Sequence, residues 1–469
     1  MFLDRDEITD VVVIGSGFAG LAAAIEACNA GASIIILEKM HAPGGNSIIS
    51  DGGIAAAGTE MQKKLGIKDS PELMYHDMLK AGLSLNHPEL VRVVTEKSSE
   101  ILQWSIDYLG VEYMDRIDIF GGHSVPRCYT PVGVSGSAII KRQLLKLDEL
   151  GIKVRTNAYF KTFIRDSEGK VNGVLVRGNY DYNDTESGID RRIRVKKGVI
   201  LATGGFGSDL QFRAAQDPRL TEQIDTTNKP FATAEALKEA LRINAMPVHL
   251  SHIQLGPWGT PDEKGYGVGA RFSDYIVFPY GIVIEPGSCK RIVNELADRK
   301  TISDALLDTG HPCIGIVDAK AVEKSGWNIT PCLEKGIVKQ FNQLKELASF
   351  YKLSLNNLEM TVDKYNRYVE NRLDEEFHKP ILPEAFPISF TPYYGIRTWP
   401  KVHHTMGGVQ INVKGQVIDL DQRPLKGLYA AGEVVGGIHG ACRLGSCAVT
   451  DCLVFGRIAG RNAATQNNS

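Results

Sequence analysis

The hydrophobic positions near the N-terminus predict a strand, a helix and a second strand in succession. Residues 11–14 form an uninterrupted apolar run, and residues 34–37 form another. Between them lie a glycine-rich turn and an alanine-rich stretch of helical length. Short continuous apolar runs are typical of strands buried on both faces of a parallel sheet. The pattern therefore predicts a βαβ unit, with Glu38 at the end of its second strand.

The turn between the first strand and the helix has the spacing Gly15-x-Gly17-x-x-Gly20. Gly15 would make the tight turn, Gly17 would let the backbone approach a pyrophosphate, and Gly20 would allow close helix–strand packing. The helix N-terminus would offer N–H groups and a positive dipole end to the phosphates. Glu38 would accept a hydrogen bond from a ribose hydroxyl and would disfavour a 2′-phosphate. This order of elements predicts a dinucleotide site.

Further glycine pairs extend the predicted cofactor site beyond this turn. The loop at 41–58 contains two pairs, an apolar strand at 196–207 runs into a third, and glycines end another strand at 426–446. A nicotinamide dehydrogenase has no need of the first loop, whereas the second half of FAD must be held along the same sheet edge. The sequence therefore predicts bound FAD. The predicted cofactor-binding residues are Gly15, Gly17, Phe18, Ala19, Gly20, Glu38, Lys39, Gly44, Gly45, Asn46, Ser47, Gly52, Gly53, Ala202, Thr203, Gly204, Gly205, His403, Gly432, Glu433, Arg443, Ser446, Ala448 and Val449.

The middle of the chain has a different composition. Residues 251–403 contain three of the four tryptophans, helical patterns such as LEMTVDKYNRYVENRL, and no second dinucleotide fingerprint. We interpret this stretch as a lobe that closes over the cofactor and excludes water. The predicted fold is α/β, a Rossmann-like FAD-binding domain with an inserted α+β capping domain. The predicted domains are 1–250 and 404–469 for FAD binding and 251–403 for the cap.

Composition excludes several other classes of protein. The net charge of −2 favours neither nucleic acid nor a membrane surface, and no apolar run approaches the roughly 18 residues of a membrane span. The acidic N-terminal segment is not typical of a signal peptide. The eight cysteines form neither CxxC nor a haem-attachment motif. We therefore expect a cytoplasmic protein with reduced thiols and an external electron donor, which would be a partner protein, reduced free flavin or NADH.

Several motifs together resemble one family. The segments GSGFAGLAAAIEA, GGNSIISDGG, ILATGGFG, HHTMGGV and AGEVVGGIHGACRLGSCAVTDCLVFGRIAG are similar to the flavoprotein of the fumarate reductase and succinate dehydrogenase superfamily. The resemblance is closest to the flavin domain of soluble flavocytochrome c-type fumarate reductases and to related 2-enoate reductases such as urocanate reductase. It implies hydride transfer between flavin N5 and a carbon next to a carboxylate. Membrane-complex members carry a histidine before the second glycine pair, and its absence here predicts noncovalent FAD.

The resemblance also assigns roles to individual residues. His404 and Arg443 match residues that hold the substrate carboxylate, and Arg299 matches the arginine that protonates the substrate carbon. Gln254 matches a substrate-site glutamine, and Ser446 is expected beside both substrate and cofactor. The chemistry is reasonable, because a planar guanidinium binds a carboxylate through two parallel hydrogen bonds and thereby polarises the adjacent C=C bond.

The adjacent histidines in KVHHTMGGV allow three interpretations. A metal site is disfavoured, because neighbouring residues of a strand point to opposite faces and no cysteine or carboxylate cluster accompanies them. Buried histidines without a chemical role are a second interpretation. Substrate binding is favoured for His404, and a structural role beside the cofactor is favoured for His403.

Two departures from the family pattern concern the substrate. Gly256 stands where fumarate enzymes carry a histidine that grips the second carboxylate, and Trp258 follows. Room and an apolar wall at this point predict a monocarboxylate larger than fumarate, although both residues could instead only shape the cap hinge. The usual glutamate–arginine proton relay is also missing, and Asp274 and Tyr275 are the candidates near the substrate. Simple packing of Tyr275 in the lobe is the alternative.

The sequence therefore predicts an FAD-dependent oxidoreductase that reduces the C=C bond of an α,β-unsaturated carboxylate. Fumarate reductase or succinate dehydrogenase proper is one alternative. A flavin dehydrogenase of the ketosteroid type, running in the desaturating direction, is another. A flavin-binding electron carrier without chemistry of its own is disfavoured, because such a protein needs no carboxylate clamp.

Overall fold

The computed structural model describes residues 6–465, and the chain divides into two compact units. The first unit contains the residues up to 219, residues 229–253 and the residues from 404 onwards. The second contains residues 220–228 and 254–403. The boundary between the first part of the FAD-binding unit and the cap was expected after residue 250 and lies after residue 253. The short segment 220–228 also belongs to the second unit. That segment has no composition that would set it apart from its neighbours.

Strands and helices are labelled in chain order. As far as the middle of the chain they are β1 (Glu7–Ile14), α1 (Phe18–Asn29), β2 (Ile34–Leu37), β3 (Ile54–Ala55), α2 (Glu60–Lys64), α3 (Pro71–Ala81), α4 (Pro88–Asp107), β4 (Cys128–Tyr129), α5 (Ser137–Glu149), β5 (Val154–Arg155), β6 (Ala158–Arg165), β7 (Val171–Gly178), β8 (Ile189–Leu201), α6 (Leu210–Gln216), α7 (Glu235–Arg242), β9 (Pro247–Val248) and β10 (Ile253–Gly256). The following elements are α8 (Gly269–Phe272), α9 (Phe278–Tyr280), β11 (Ile282–Ile284), α10 (Arg299–Asp308), β12 (Cys313–Asp318), α11 (Ala319–Ser325), α12 (Thr330–Glu334), β13 (Lys339–Phe341), α13 (Leu344–Tyr351), α14 (Leu355–Asn371), β14 (Tyr393–Thr398) and β15 (Lys401–Thr405). The last are β16 (Gly408–Val409), β17 (Gln416–Ile418), β18 (Pro424–Ala430) and α15 (Cys447–Thr465).

The first unit is built on a sheet with the strand order β17-β18-β8-β1-β2-β5. Strand β1 lies parallel to β2 and β8, so that Val12 is opposite both Ile35 and Val199. The apolar run at 11–14 forms the buried end of this strand, as the continuous pattern predicts. The central position of β1 places the turn that follows it in the middle of one sheet edge.

Helices α1 and α15 approach each other closely because their facing residues are small. A Cβ atom on Gly456 would lie 2.6 Å from the Ala19 carbonyl oxygen, and one on Gly460 would lie 2.1 Å from that of Ala23. The alanine-rich pattern of α1 is therefore explained by helix packing as well as by helix propensity. The C-terminal helix thus belongs to the core of the cofactor-binding unit.

Strand β8 has two different neighbours along its length. Its first half runs antiparallel to β7, with Ile193 opposite Val174, and its second half runs parallel to β1. The first four residues of β8 are exposed, buried and exposed residues alternate from Ile193 to Lys196, and residues 198–201 are buried. The sequence predicts only this buried end, because the charged residues before it resemble a surface loop.

The second unit contains the antiparallel sheet β11-β12-β14-β13 and the helices α13 and α14. Helix α14 buries Leu358, Val362, Tyr365 and Val369, which recur at helical spacing, against this sheet's core. The helical pattern recognised in this stretch is confirmed. No helix within residues 6–465 is long and apolar enough to span a membrane.

Candidate active site

The turn after β1 has the backbone geometry that close approach to a ligand requires. Gly15 has φ of +102°, and a Cβ atom there would lie 2.3 Å from the carbonyl oxygen of Ala202. Gly17 precedes α1 as its N-cap residue without a side-chain cap. Only glycine fits at position 15, and Gly17 leaves the N–H groups at the start of α1 uncovered by a side chain. The turn therefore fits a pyrophosphate.

Glu38 is fixed at the end of β2 by three hydrogen bonds. Its Oε2 accepts from the Ser16 hydroxyl at 2.6 Å and from the Ser16 N–H at 3.3 Å, while Oε1 accepts from the Met40 N–H at 3.0 Å. The Gly44 N–H donates to the same Ser16 hydroxyl at 3.0 Å. Because a carboxylate has about four acceptor sites, Glu38 keeps capacity for a ribose hydroxyl. Ser16 links the first glycine turn to the second.

A groove follows the carboxyl ends of these strands within the first unit. Clefts of this kind at the strand ends of a parallel sheet are typical places for cofactors. The groove is lined by these residues expected from the sequence: Gly15, Gly17, Phe18, Ala19, Glu38, Lys39, Gly45, Asn46, Ser47, Ala202, Thr203, Gly204, Gly205, Gly432 and Glu433. The residues present therefore fit an extended dinucleotide such as FAD.

Other predicted cofactor residues lie outside this lining. A Cβ atom on Gly20 would lie 2.0 Å from the Gly15 carbonyl oxygen, and one on Gly52 would lie 2.8 Å from the Gly136 Cα, so these two residues shape the backbone. A Cβ atom on Gly53 would lie 2.6 Å from the Ser446 hydroxyl. Ala448 and Val449 lie in the first turn of α15, and Gly44 precedes a 3-10 turn at Gly45–Ile48.

Several groove residues have no signal in the sequence. Phe231, Thr233 and Glu235 line the groove from the segment that leads into α7, and Tyr159 and Cys452 line it from β6 and α15. Lys39 Nζ donates to the Thr233 hydroxyl at 3.0 Å and to Glu235 at 2.6 Å. Nearly two hundred residues separate these partners in the chain, so no local pattern could reveal their contact.

Glu433 is a buried acid in the lining of the groove. Its Oε1 accepts from the Thr405 N–H at 2.9 Å and from the Thr405 hydroxyl at 3.2 Å. A Cβ atom on Gly205 would lie 2.3 Å from this oxygen, so only glycine leaves space for the carboxyl group. Burial raises the pKa of Glu433 to about 7, against the opposing effect of its hydrogen bonds and of Arg443.

The predicted carboxylate clamp lies next to Glu433. His404 Nδ1 is 3.5 Å from Glu433 Oε1, and the His404 ring meets the His439 ring edge-on at 5.8 Å. His439 Nε2 in turn lies 3.2 Å from Asp451. Arg443 is buried and donates to the Leu444 carbonyl at 2.9 Å. The first unit thus brings together His404, Arg443 and the groove residue Glu433, while His439 and Asp451 behind them were missed by the sequence analysis.

The other predicted catalytic residue belongs to the second unit. Arg299 is the first residue of α10, where Asp298 accepts from the N–H groups of Lys300 and Thr301. The Arg299 guanidinium lies 5.7 Å from the centre of the Trp258 ring, at the outer limit of a cation–π contact. Gln254 is buried in β10.

The space beside Gly256 corrects one expectation. A Cβ atom on Gly256 would lie 2.6 Å from the Trp258 ring, which is itself only 2% exposed. The room that was expected at Gly256 is therefore filled by the indole, because the chain folds the tryptophan back onto the glycine two residues earlier. That the Trp258 indole forms an apolar wall of the substrate site stays a prediction.

Asp274 and Tyr275 lie in a π-helical segment, Ser273–Val277, between α8 and α9. Such segments are rare and often occur at functional sites. Tyr275 is buried and its ring is 4.5 Å from that of Trp327, which agrees with the packing alternative. Their role toward a substrate stays a prediction.

His403 is placed with the second unit and not in the groove. Its Nδ1 lies 2.8 Å from the Thr227 hydroxyl, and its ring contacts Trp258 edge-on at 4.7 Å and stacks with Tyr266 at 6.4 Å. These contacts support the structural role over cofactor binding. Within the described chain, residues 6–465, no group of three or more His, Cys, Asp or Glu residues has the geometry of a metal site.

Comparison with known proteins agrees with this geometry. Residues 10–449 match the family described as FAD binding domain. The chain belongs to this family. The acrylate reductase flavoprotein subunit of Shewanella woodyi is 42% identical over 463 residues, covering 97% of this chain and 91% of that protein. The urocanate reductase of Eggerthella lenta is 34% identical, covering 97% of this chain and 74% of that protein.

The fold is shared with a solved relative. The open conformation of a flavocytochrome c3 fumarate reductase has a TM-score of 0.77 and 32% identity, covering 98% of this chain and 79% of that chain. The resemblance, the α/β fold class and FAD as cofactor are therefore confirmed, as is the prediction of an FAD-dependent oxidoreductase. Noncovalent attachment of FAD stays a prediction.

Proposed function

We propose that this FAD-binding-domain protein reduces the C=C bond of an α,β-unsaturated monocarboxylate. The observation that carries the proposal is the cluster beside the groove, where His404 and the buried Arg443 adjoin the lining residue Glu433. A guanidinium and an imidazole beside a cofactor groove form a receptor for a carboxylate. The acrylate and urocanate reductases among the relatives are named for monocarboxylates, which supports this substrate class.

The protein side chains have three tasks in the proposed reaction. Arg443 binds the substrate carboxylate and draws charge toward it, which makes the β-carbon electrophilic, and His404 completes the carboxylate site. Reduced FAD, when bound, supplies a hydride from N5, and the external donor then restores it. Arg299 delivers the proton to the adjacent carbon. Because the pKa of a guanidinium exceeds about 12, Arg299 can serve only if the carbon has carbanion character and a proton returns quickly.

The preference for one carboxylate over two follows from Gly256. The resemblance places a histidine of fumarate enzymes at this position, so a second carboxylate would lack that partner, and an unpaired buried anion is costly. The Arg299 guanidinium contacts the Trp258 ring, which is an apolar surface. The preference for a substrate larger than fumarate stays a prediction, since Gly256 itself offers no space.

The electron donor is proposed to be a partner protein. The sequence has one dinucleotide fingerprint, which the FAD site uses, so a separate NADH site is disfavoured. The relative from Shewanella woodyi is named as a flavoprotein subunit, which is consistent with a partner. Reduced free flavin and NADH are the alternatives, and a cytoplasmic location also stays a prediction.

The proposal is tested by anaerobic photoreduction of the flavin in the purified holoenzyme. Acrylate, urocanate, cinnamate and fumarate are then added separately, and the return of oxidised flavin absorbance is followed. Reoxidation should be faster with the monocarboxylates than with fumarate. Faster reoxidation by fumarate would indicate a fumarate reductase, and no response to any of the four would contradict enoate reduction. Reduction of the oxidised enzyme by a 3-ketosteroid would favour the desaturating alternative.

A further inference from the structure

A buried histidine reaches the turn that carries the carboxylate clamp. His123 is 8% exposed, and its Nε2 lies 2.9 Å from the carbonyl oxygen of Gly445, which is 322 positions later in the chain. Gly445 lies between Arg443 and Ser446. We propose that His123 is a positioning residue that holds this turn, and with it the Arg443 guanidinium, in the geometry that binds the carboxylate. The proposal rests on the proposed function for the identity of the ligand.

The hydrogen-bond partners determine how His123 acts. The Gly445 carbonyl can only accept, so Nε2 carries the proton and donates it. On the other side of the ring, Arg127 Nη1 lies 3.3 Å from Nδ1. Because a guanidinium can only donate, Nδ1 is the acceptor. The two partners thus select one tautomer of a neutral imidazole and orient the ring along a line from Arg127 to Gly445.

Arg127, which contacts His123, is itself held in a fixed position by two carboxylates. Its side chain is fully buried and makes two hydrogen bonds to Asp69, at 2.8 and 3.1 Å, and one to Asp77 at 2.6 Å. Asp77 also accepts from the Ser124 N–H at 2.9 Å and from its hydroxyl at 2.8 Å. A bidentate arginine–carboxylate pair has a defined plane and little freedom. The position of His123 is therefore set by a network that cannot shift easily.

The turn that His123 contacts is strained and closely packed. Ser446 has φ of +62°, a left-handed conformation that costs a non-glycine residue free energy and persists only when its surroundings enforce it. The Gly445 carbonyl also accepts from the Cys447 N–H at 2.8 Å. On the opposite side, a Cβ atom on Gly445 would lie 2.6 Å from Phe120. His123 therefore donates a side-chain hydrogen bond to the residue that directly precedes the strained Ser446.

The consequence of losing this bond should fall on carboxylate binding. If the Gly445 carbonyl loses the His123 hydrogen bond and keeps only the local one from the Cys447 N–H and the weak one from the Cys128 thiol, the turn can relax, and Arg443 moves relative to His404 and Glu433. A misplaced clamp binds the substrate carboxylate less well, which raises KM more than it lowers kcat. The FAD groove does not include His123 or Gly445 among its lining residues, so cofactor retention should be little affected.

Three variants of the holoenzyme separate positioning from simple packing. His123→Gln places an amide N–H where Nε2 was and should keep KM within about twofold of the wild type. His123→Asn can still accept from Arg127 but is too short to donate to Gly445, and its KM should rise about five- to tenfold, as expected for one lost hydrogen bond. His76→Asn is the matched control. His76 is an exposed histidine on helix α3 that forms an ion pair with Glu72 and a ring contact with Tyr75.

Each variant is characterised by KM and kcat for acrylate, by flavin content, by its melting temperature, and by the Kd for propionate from the flavin difference spectrum. The proposal is supported if His123→Asn raises both KM and the propionate Kd while His123→Gln and His76→Asn do not. Wild-type values for His123→Asn, or equal losses in His123→Gln, overturn it. If His123→Asn does not retain FAD, the proposal is judged by His123→Gln alone: a KM near that of the wild type supports it, and a raised KM overturns it. Should the wild type bind propionate but reduce no enoate, the proposed function fails while the positioning role is still judged by the propionate Kd.

Discussion

Both units of this protein contain a buried arginine that pairs with two carboxylates, but the two clusters are connected differently. In the first unit, Arg127 is held by Asp69 and Asp77, and the cluster continues through His123 to the backbone of Gly445. It therefore has an open end at the turn that carries the predicted clamp. The cluster thus links a buried salt bridge to the turn between Arg443 and Ser446.

In the second unit, the corresponding cluster closes on itself. Arg291 makes two hydrogen bonds to Glu295, at 3.1 and 2.8 Å, and pairs with Asp374 at 2.9 Å. Lys379 lies 3.3 Å from Glu295 and donates to the Gly281 carbonyl at 2.6 Å. These partners hold the backbone around β11 and the segment that precedes α10. The side-chain contacts of the cluster end within the core of the unit.

The difference shows what a buried ion pair can be used for. Burying charges costs desolvation free energy, and such pairs add little net stability compared with apolar packing, although breaking one is strongly destabilising. A closed cluster therefore specifies the fold of its own unit. Both clusters reach a backbone carbonyl, but that of Gly281 lies beside the cluster's own strand β11, whereas that of Gly445 lies in the turn of the predicted carboxylate clamp.

The largest expected effect concerns Arg299, which follows the closed cluster in sequence but is proposed to act in the reaction itself. Arg299→Ala should lower kcat by about 10²–10⁴-fold, because the substrate carbon loses its proton donor. Flavin content should be unchanged, since Arg299 does not line the groove. Steady-state rates and flavin absorbance test this, with Lys300→Ala, an exposed neighbour paired with Asp304, as the control. Appreciable turnover of Arg299→Ala would exclude the acid role.

The next prediction separates the two clusters directly. Glu295→Gln and Asp69→Asn each remove one charge from a buried pair and should destabilise the protein by about 3–5 kcal/mol. Only Asp69→Asn should also raise KM, because only its cluster continues to the clamp turn. Thermal unfolding and steady-state kinetics are measured on both variants. An equal rise of KM in Glu295→Gln would remove the distinction between the open and the closed cluster.

A smaller effect is expected from the pH dependence of Glu433. Its pKa rises from 4.5 to about 7 on folding, so between these values the folded FAD-free protein binds more protons than the unfolded chain. The free energy of unfolding should therefore fall as pH rises from about 4.5 to 7 and level off above, with a contribution of at most about 3 kcal/mol. Glu433→Gln should remove this slope in chemical denaturation of the apoprotein. An unchanged slope would contradict the raised pKa.

The smallest expected effect concerns specificity at the wall formed by Trp258. Gly256→His alone should not improve fumarate reduction, because the indole fills the space beside Gly256. Combined with Trp258→Ala, the imidazole gains room to pair with a second carboxylate. The ratio of kcat/KM for fumarate to that for acrylate should then rise about tenfold, comparable to one charge-assisted hydrogen bond. If the single variant already gives this gain, Trp258 does not control the site.

Much of the cofactor site could be predicted from the sequence because its requirements are local. The turn at Gly15 needs a positive φ, and the acid at Glu38 follows a strand by a fixed spacing. The contacts of Lys39 with Thr233 and Glu235 could not be predicted, because they join segments nearly two hundred residues apart. The position of the Trp258 ring could not be predicted either. The glycine at 256 suggested open space, but the indole fills it.

By itself, the sequence determined the βαβ unit, the glycine turns, the helix α15 and the residue types of a carboxylate clamp, because hydrophobic periodicity and backbone conformation depend on near neighbours. The tertiary structure decided which side chains meet. It brought His123 to Gly445, directed the two adjacent histidines to different partners and folded Trp258 over Gly256. Packing of distant segments determines such contacts, and no local pattern encodes them.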